Sequence, residues 1–301
     1  MMEREPEQRR VTIETEVAGP LEIAVWEWRP SGPDPSGPIV LSHGIGLHGR
    51  TWDAIVRQLP SSAWVVAPDL SGHGASQKPP PLPDDGQVLW DDVGREIAAI
   101  VRALDLPPAL GVGHSMAGHA MIFAAEAAPE RFHSLLLLDP TVGDPEQAAR
   151  PEKPEPRPRP VSRRRSEWSS PDEMFERFRT RAPFEAWDEA VLRDYCGHGL
   201  TRSEGGYELS CTPRYESMVW GGRSLRVYEA MAAVQVPVHI ARAEPRRESD
   251  PPGRTPSQAW PGLHRYFESA SDELIEGCGH FFPLEQPALT ARLISERMHR
   301  Q

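Results

Sequence analysis

The sequence predicts an α/β fold, a mostly parallel, twisted sheet with helices packed on both faces. Two observations support this prediction. Short apolar runs end in small or polar residues, and these runs read PIVLSHG, WVVAPDL, ALGVGHS, LLLLDPT and PVHIARA. Segments with helical periodicity lie between the runs. Because such runs are typical of parallel strands buried on both faces, their alternation with helices indicates a sheet that is covered on both sides.

The elements are expected in a definite order. An antiparallel strand pair comes first, because apolar and polar residues alternate in VTIETEV and LEIAVWEW. The buried strands follow, and helices are expected at TWDAIVRQL, DDVGREIAAIVRAL, MAGHAMIFAAEAA and PALTARLISERMH. The length of 301 residues suits one large α/β domain with an insertion, or two ordinary domains.

One segment interrupts the alternation of strands and helices. Residues 145–230 read as a Pro/Arg-rich linker followed by helices, and we expect a helical cap inserted into the core. The core then consists of residues 1–144 and 231–301. The linker, Arg150–Ser166, alternates proline with charge and cannot bury apolar surface, so we expect it to be extended and exposed.

Local signals mark the helices of this cap. Ser170 precedes a proline and is expected to cap the N-terminus of one helix. Asp188 is expected to cap a second helix, and Gly197 is expected to end it.

Composition and charge limit the possible classes of function. The net charge of −11 argues against a general role in nucleic-acid binding. The three cysteines are widely spaced and form no CxxC motif, so we expect a reducing, cytoplasmic location and no structural zinc site. No run of about 18 apolar residues occurs, and no membrane span is expected. HExxH and GxxxxGK[ST] motifs are missing, so we expect neither a metal nor another cofactor.

Polar side chains follow the apolar runs at the points where the predicted strands end. In an open parallel sheet, the groups that bind or react gather at the carboxyl ends of the strands. The polar residues at these positions are His43, Asp69, Ser115, Asp139 and Glu244. His280 lies past a last short strand. A candidate nucleophile, acid and base therefore occur in the order Ser, Asp or Glu, His.

Four short motifs resemble those of the α/β-hydrolase superfamily. GHSMAG at Gly113–Gly118 resembles the nucleophile elbow G-x-S-x-G, and SHGIG at Ser42–Gly46 resembles the HG oxyanion loop. DLSGHGAS at Asp69–Ser76 resembles the D-x-x-G-x-G-x-S turn, and GCGHFFPLEQP at Gly277–Pro287 resembles the histidine loop. The resemblance covers roughly residues 11–300 and implies an α/β-hydrolase fold with a cap. Four motifs in the right order are a far more specific signal than any one of them.

The resemblance implies a catalytic serine. Ser115 would be the nucleophile on a strained turn, and His280 would be its general base. The backbone N–H groups of Ile45 and Met116 would form the oxyanion hole. Ala117 stands where the strict motif has its second glycine, but alanine is also small, and the assignment holds.

The acid of the triad has more than one candidate. The superfamily usually places it in a G-x-x-D loop after the strand that reads PVHIARA. Here Ala243 replaces the glycine and Arg246 stands where the aspartate is expected, with Glu244 and Asp250 nearby. Some members, such as the haloalkane dehalogenases and certain acyl-CoA hydrolases, use an acid one strand earlier. Asp139 lies at that position, and we predict it as the acid, ahead of Glu244 and Asp250.

The implied reaction is hydrolysis through a covalent acyl intermediate. We expect a carboxylic ester or thioester with an apolar acyl or aryl group, because the cap is rich in aromatic residues. Hydrolysis of a C–C bond stays open as an alternative. So does a ligand-binding protein with an impaired site, which the altered acid loop would suit.

Several residues are expected to surround the substrate. These are His43, Gly44, His114, Trp187 and Trp220. The linker has seven Lys and Arg against two Glu between residues 150 and 165, which fits either a solvated loop or an attraction for an anionic substrate. The expected partner is a small molecule, and the chain is expected to be a monomer or a homodimer.

Overall fold

The structure of the chain is a computed structural model that describes residues 4–31, 36–80, 87–148, 160–222, 224, 226–248, 250–251 and 253–298. Within these residues the strands are β1 (Glu7–Thr15), β2 (Gly19–Trp28), β3 (Pro38–Ser42), β4 (Trp64–Pro68), β5 (Ala109–His114), β6 (Phe132–Leu138), β7 (Glu167–Trp168), β8 (Leu200–Ser203), β9 (Gly206–Leu209), β10 (Val238–Arg242) and β11 (Ala270–Leu274). The α-helices are α1 (Asp53–Val56), α2 (Trp90–Ala103), α3 (Met116–Ala127), α4 (Pro145–Ala148), α5 (Pro171–Phe178), α6 (Glu189–His198), α7 (Pro213–Gly221), α8 (Val227–Ala233), α9 (Phe282–Glu285) and α10 (Pro287–Met298). Short 3₁₀ helices lie at Gly49–Trp52, Pro129–Arg131, Pro160–Arg163, Phe184–Ala186 and Leu263–Tyr266.

The main sheet has eight strands among the described residues, in the order β1-β2-β4-β3-β5-β6-β10-β11. The first pair is antiparallel, as the alternating sequence predicts, and β2 also pairs antiparallel with β4. The other six strands, in the order β4-β3-β5-β6-β10-β11, run parallel to one another. The predicted α/β fold with a mostly parallel sheet is therefore confirmed.

Two hydrophobic layers cover the two faces of this sheet. In β3, Ile39 and Leu41 pack on one face and Val40 packs on the other, and all three are fully buried. Residues of α2, α3 and α8 belong to the layer on the Val40 side, whereas residues of α1 and α10 belong to the opposite layer. This two-sided burial explains why the strand sequences read as continuous apolar runs.

The segment between β6 and β10 contains more than helices. In its described part, β7, β9 and β8 form a second, antiparallel sheet, which the sequence analysis did not predict. The turn between β8 and β9 contains Gly205, and Gly206, the first residue of β9, has a φ of +131° that favours glycine. The boundaries of the predicted cap stay a prediction. Of the linker, residues 150–159 lie outside the described residues.

The helix caps follow the local sequence, with one correction. The side chain of Ser170 accepts a hydrogen bond from the N–H of Glu173, and Asp188 caps α6, as predicted. Gly197 does not end α6, because the helix continues to His198 and its C-cap is Gly199. A Cβ atom at Gly199 would lie 2.6 Å from the carbonyl oxygen of Tyr195, so glycine is required there and not at Gly197.

Candidate active site

Ser115 lies on a sharp turn between β5 and α3. Its backbone has φ 59° and ψ −122°, a conformation that non-glycine residues rarely adopt. A Cβ atom at Gly113 would lie 2.4 Å from the carbonyl oxygen of Ala117, and one at Gly118 would lie 2.9 Å from Pro140. The turn therefore comes closest to neighbouring atoms at Gly113 and Gly118, where a side chain would not fit. This explains how Ala117 can replace the second glycine of the strict motif.

A line of hydrogen bonds joins Ser115 to a histidine and a carboxylate. Nε2 of His280 lies 2.9 Å from Ser115 Oγ, and Nδ1 lies 2.6 Å from Oδ2 of Asp139. A carboxylate only accepts hydrogen bonds, so Nδ1 of His280 donates and Nε2 accepts from the serine hydroxyl. All three side chains are at least nine-tenths buried. The arrangement has the geometry of a nucleophile, a base and a group that orients the base.

The carboxylate of Asp139 lies at the end of β6 and is surrounded by donors. Besides His280, it accepts hydrogen bonds from Ser257 Oγ at 2.5 Å, from the N–H of Ala243 at 2.9 Å and from the N–H of Gln258 at 2.9 Å. Burial by itself would raise the pKa of this carboxyl. The hydrogen bonds and the attraction to the imidazole outweigh burial and hold the pKa below its usual range, so Asp139 is ionised.

The two alternative acids are engaged elsewhere. Glu244 accepts hydrogen bonds from Arg247 at 2.5 Å and from Arg254 at 3.0 Å. Asp250 pairs with the same Arg254 and accepts a hydrogen bond from the N–H of Arg247. Within the described residues, no hydrogen bond joins either carboxylate to His280. The geometry therefore favours Asp139 over both alternatives.

The predicted oxyanion loop passes directly beside the nucleophile. A Cβ atom at Gly44 would lie 3.3 Å from the Cβ of Ser115. Among the backbone hydrogen bonds of the described residues, none uses the N–H of Ile45 or of Met116. Their role as the oxyanion hole stays a prediction.

His43 and His114 are hydrogen-bonded to the backbone around the site. Nε2 of His43 accepts a hydrogen bond from the N–H of Leu70, and Nδ1 donates to the carbonyl of Gly44. Nε2 of His114 donates to the carbonyl oxygen of His280 at 3.0 Å. Burial lowers the pKa of His43 to about 4 and that of His114 to about 3, so both are neutral. Both ring nitrogens of His43 are therefore used by the backbone, and its contact with a substrate stays a prediction, as does that of His114.

The two predicted tryptophans differ in their positions. Trp187 packs against Phe281, with ring centroids 5.7 Å apart, and Phe281 lies 5.1 Å from the ring of His280. Trp187 is therefore one ring away from the base. Trp220 is half-buried at the end of α7, and no contact with the triad is described for it. Its role in substrate binding stays a prediction.

An ion pair from the segment between β6 and β10 covers the oxyanion loop. Arg164 donates to both carboxylate oxygens of Glu216, at 2.9 and 3.0 Å, and to the hydroxyl of Tyr195 at 3.0 Å. A Cβ atom at Gly46 would lie 2.5 Å from Oε1 of Glu216, so the carboxylate rests on the loop. Arg164 belongs to the predicted linker. The expectation of an exposed linker is wrong at this residue, because Glu216 offers a buried partner that the linker composition does not reveal.

Two acidic residues and a histidine that could ligate a metal lie close together. In the part of the chain that the structure describes, ligand atoms of Asp53, Asp194 and His198 lie within 4.8 Å of one another. However, Arg50 is paired with Asp53 and Arg57 is paired with Asp194. Since arginines already neutralise both carboxylates, we infer no cation site there.

Sequence reasoning missed some residues at the site. Three residues at the site were not predicted from the sequence, and these are Thr141, Ser257 and Glu216. Of the three, Thr141 follows the predicted acid by only two positions in LLLLDPT. That proximity was the one usable signal. Ser257 and Glu216 reach the site from distant parts of the chain and carry no local motif.

The helices were also compared with the length and hydropathy that a membrane span needs. Within the part of the chain that the structure describes, none meets both requirements.

The chain is similar in sequence and in structure to proteins that are already known. The model of the alpha/beta hydrolase family matches residues 39–293, and the chain belongs to that family. Lipase LipV of Mycobacterium tuberculosis (strain ATCC 25618 / H37Rv) is 34% identical over 122 residues, which are 40% of this chain and 43% of the lipase. The match thus spans less than half the length of that curated relative.

Solved structures share the fold over nearly the whole chain. The crystal structure of E-2-(acetamidomethylene)succinate hydrolase has a TM-score of 0.72 at 20% identity and covers 97% of this chain and 98% of that one. A thermophilic esterase from Thermogutta terrifontis has a TM-score of 0.67 at 23% identity and covers 97% of this chain and 100% of that one. At these identities the similarity establishes the fold alone.

Proposed function

We propose that the chain is a serine hydrolase that cleaves a carboxylic ester or thioester through an acyl-enzyme on Ser115. The observation that supports this most is the line of hydrogen bonds from Ser115 Oγ through His280 to Asp139. A serine hydroxyl is a weak nucleophile by itself and needs an adjacent base that a third group orients. The likeness to a lipase agrees with this chemistry.

In the acylation step, Ser115 Oγ bonds to the substrate carbonyl carbon while its proton passes to Nε2 of His280. The carbonyl oxygen becomes an oxyanion that the N–H groups of Ile45 and Met116 stabilise. Loss of one such donor typically costs about 3–4 kcal/mol of transition-state stabilisation. The intermediate then expels an alcohol or thiol, which takes the proton from His280.

In the deacylation step, a water molecule gives a proton to His280 and attacks the acyl carbon. The C–Oγ bond breaks, the carboxylic acid leaves, and Ser115 Oγ recovers its proton from the imidazole. Asp139 stays ionised throughout and stabilises the imidazolium that forms in each half of the reaction. The pKa of Asp139, held below its usual range, fits this role.

Aromatic side chains favour an apolar acyl or aryl group in the substrate. Phe178 and Phe184 are stacked with centroids 4.3 Å apart, and Trp187 connects this stack to Phe281 beside the base. Such a cluster offers apolar surface to a ligand near the nucleophile. Arg164 and Arg165 in the described end of the linker are already paired with acids of the protein, so these two charges do not favour an anionic substrate.

The test is covalent labelling of the wild-type chain with a fluorophosphonate, followed by mass spectrometry. We expect stoichiometric modification of Ser115 and its loss in Ser115→Ala. The matched control is Ser203→Ala, which removes an exposed serine hydroxyl of β8 and should be labelled like the wild type. A panel of p-nitrophenyl esters of increasing chain length and one acyl-CoA would then define the substrate class.

Each outcome has a distinct meaning. Labelling at Ser115 with turnover of esters or of the thioester supports the proposal. Labelling without turnover of either class contradicts it and leaves C–C bond hydrolysis. A folded wild-type protein that is not labelled contradicts the nucleophile itself and leaves a ligand-binding role.

A further inference from the structure

We propose that Thr141 is a further catalytic residue, whose hydroxyl donates a hydrogen bond to Ser115 Oγ. Oγ1 of Thr141 lies 3.3 Å from Ser115 Oγ, which is the atom that forms and breaks the bond to the acyl group. This inference rests on the proposed function, because it assigns a second partner to the same nucleophile. It adds a hydroxyl to the triad of Ser115, His280 and Asp139.

The backbone fixes Thr141 in this place. Its N–H donates to the carbonyl oxygen of Ser115 at 3.0 Å, and its own carbonyl lies 3.0 Å from Nδ1 of His119. The residue is 7% exposed. Its β-branched side chain has few rotamers, so the hydroxyl is held in one direction. The preceding Asp139 has a φ of +41°, and this turn at the end of β6 brings Thr141 back toward the elbow.

The number of protons decides which hydroxyl donates. Ser115 has a single hydroxyl proton, and Nε2 of His280 accepts it at 2.9 Å. The lone pairs of Ser115 Oγ are therefore free to accept, and the hydroxyl of Thr141 is the donor between the two. Among the described residues, no other hydrogen bond is recorded for this hydroxyl.

The contact gains strength when charge builds on Ser115 Oγ. At 3.3 Å it is long for an O–H···O bond, so it is weak while the oxygen is neutral. Hydrogen bonds to an ionised oxygen are shorter and roughly twice as strong as neutral ones. A partner that binds the charged state better than the neutral state lowers the barrier and does not merely tighten substrate binding.

Both halves of the reaction place negative charge on this oxygen. In acylation, Oγ gives its proton to His280 as it attacks the carbonyl carbon. In deacylation, the C–Oγ bond breaks with its electron pair on Oγ, and the imidazolium of His280 returns the proton. The hydroxyl of Thr141 stabilises Oγ in both steps and keeps its own proton throughout.

The test removes the hydroxyl and keeps the shape. Thr141→Val should lower kcat on a p-nitrophenyl ester by about 3- to 15-fold, with KM changed less than about twofold, since one hydrogen bond to a partly charged atom is lost. The rate of fluorophosphonate labelling should fall by a similar factor. Thr141→Ser keeps the hydroxyl and should stay within about threefold of the wild type. Thr201→Val, an exposed threonine of β8, is the matched control and should change nothing.

A second pair of variants keeps the test decisive if Thr141→Val does not fold. Thr141→Ala and Thr141→Ser differ only by the hydroxyl, so their ratio of kcat isolates it. The proposal is overturned if kcat of Thr141→Val equals that of the wild type, or if Thr141→Ala and Thr141→Ser have equal kcat. If the wild type is not labelled at Ser115, the proposed function fails first. If labelling occurs and the hydroxyl has no effect, only the role of Thr141 fails.

Discussion

The loops after β6 and β10 each place a buried carboxylate at the same edge of the sheet, but they surround it differently. Asp139 follows β6 and accepts hydrogen bonds from an imidazole, a hydroxyl and two backbone N–H groups. Glu244 follows β10 and is held by two guanidinium groups, those of Arg247 and Arg254. The neighbouring strands are parallel and adjacent, so position at the sheet edge alone does not decide which carboxylate meets the base.

The difference shows that the loop after β10 supports the carboxylate of Asp139. Ala243 and Gln258 donate backbone N–H groups to Asp139, and Ser257 donates its hydroxyl. Arg254 meanwhile ties Glu244 to the histidine loop, because it also donates to the carbonyl of Cys278 at 2.7 Å.

The largest effect is expected from Asp139→Asn. The amide keeps the volume of the carboxylate but favours the wrong tautomer of His280 and cannot stabilise the imidazolium. We expect kcat on an activated ester to fall by about 10⁴-fold. A loss of less than about tenfold, in a variant with the thermal stability of the wild type, would remove Asp139 from the triad.

The pH profile should show no step from three titratable groups that lie around the nucleophile. Asp139 stays ionised because its pKa is held below its usual range. His43 and His114, whose pKa values burial lowers to about 4 and about 3, stay neutral above about pH 5. Above pH 5 we therefore expect the acid limb of kcat/KM to have a slope of no more than one on a logarithmic plot. A slope of two there would mean that a second group of the site titrates.

Ser257→Ala tests the support that the β10 loop gives to the acid. It removes a hydrogen bond to a charged oxygen while the backbone donors of Ala243 and Gln258 remain. We expect kcat to fall about tenfold, because a hydrogen bond to a charged group is worth more than a neutral one. Ser203→Ala makes the same substitution outside the site and serves as the control. An unchanged kcat would show that Ser257 contributes only to packing.

The smallest effect on turnover is expected from Glu244→Gln. Its carboxylate contacts arginines and not the base, so kcat should stay within about threefold of the wild type. The melting temperature should fall, because Arg247 and Arg254 lose a charged partner. Loss of kcat by more than about a hundredfold, without loss of structure, would reverse the roles of the two carboxylates.

The sequence predicted those parts of the fold and site that have local signals. Apolar runs marked the buried strands, and small residues around Ser115 marked the elbow. Asp139 and His280 stood at the ends of recognisable segments, and the structure brings both to Ser115. Each of these signals lies within a few residues of the feature that it predicts.

The remaining features depend on contacts between distant residues. Ser257 reaches Asp139 across 118 positions, and Arg164 reaches Glu216 across 52. No periodicity or motif encodes such pairs, because tertiary packing alone brings them together. For the same reason the sequence left Asp139 and Glu244 both open as acids, whereas the arginines around Glu244 distinguish them in the structure.

The central claim is that Asp139 accepts a hydrogen bond from the Nδ1–H of His280. The most direct test is ¹H NMR of histidine-labelled protein, with the His280 signal assigned by its loss in His280→Gln. The 2.6 Å contact predicts a far downfield Nδ1 proton in the wild type and in Glu244→Gln. This signal should disappear or move upfield in Asp139→Asn. A downfield proton that survives in Asp139→Asn and is lost in Glu244→Gln would contradict the account.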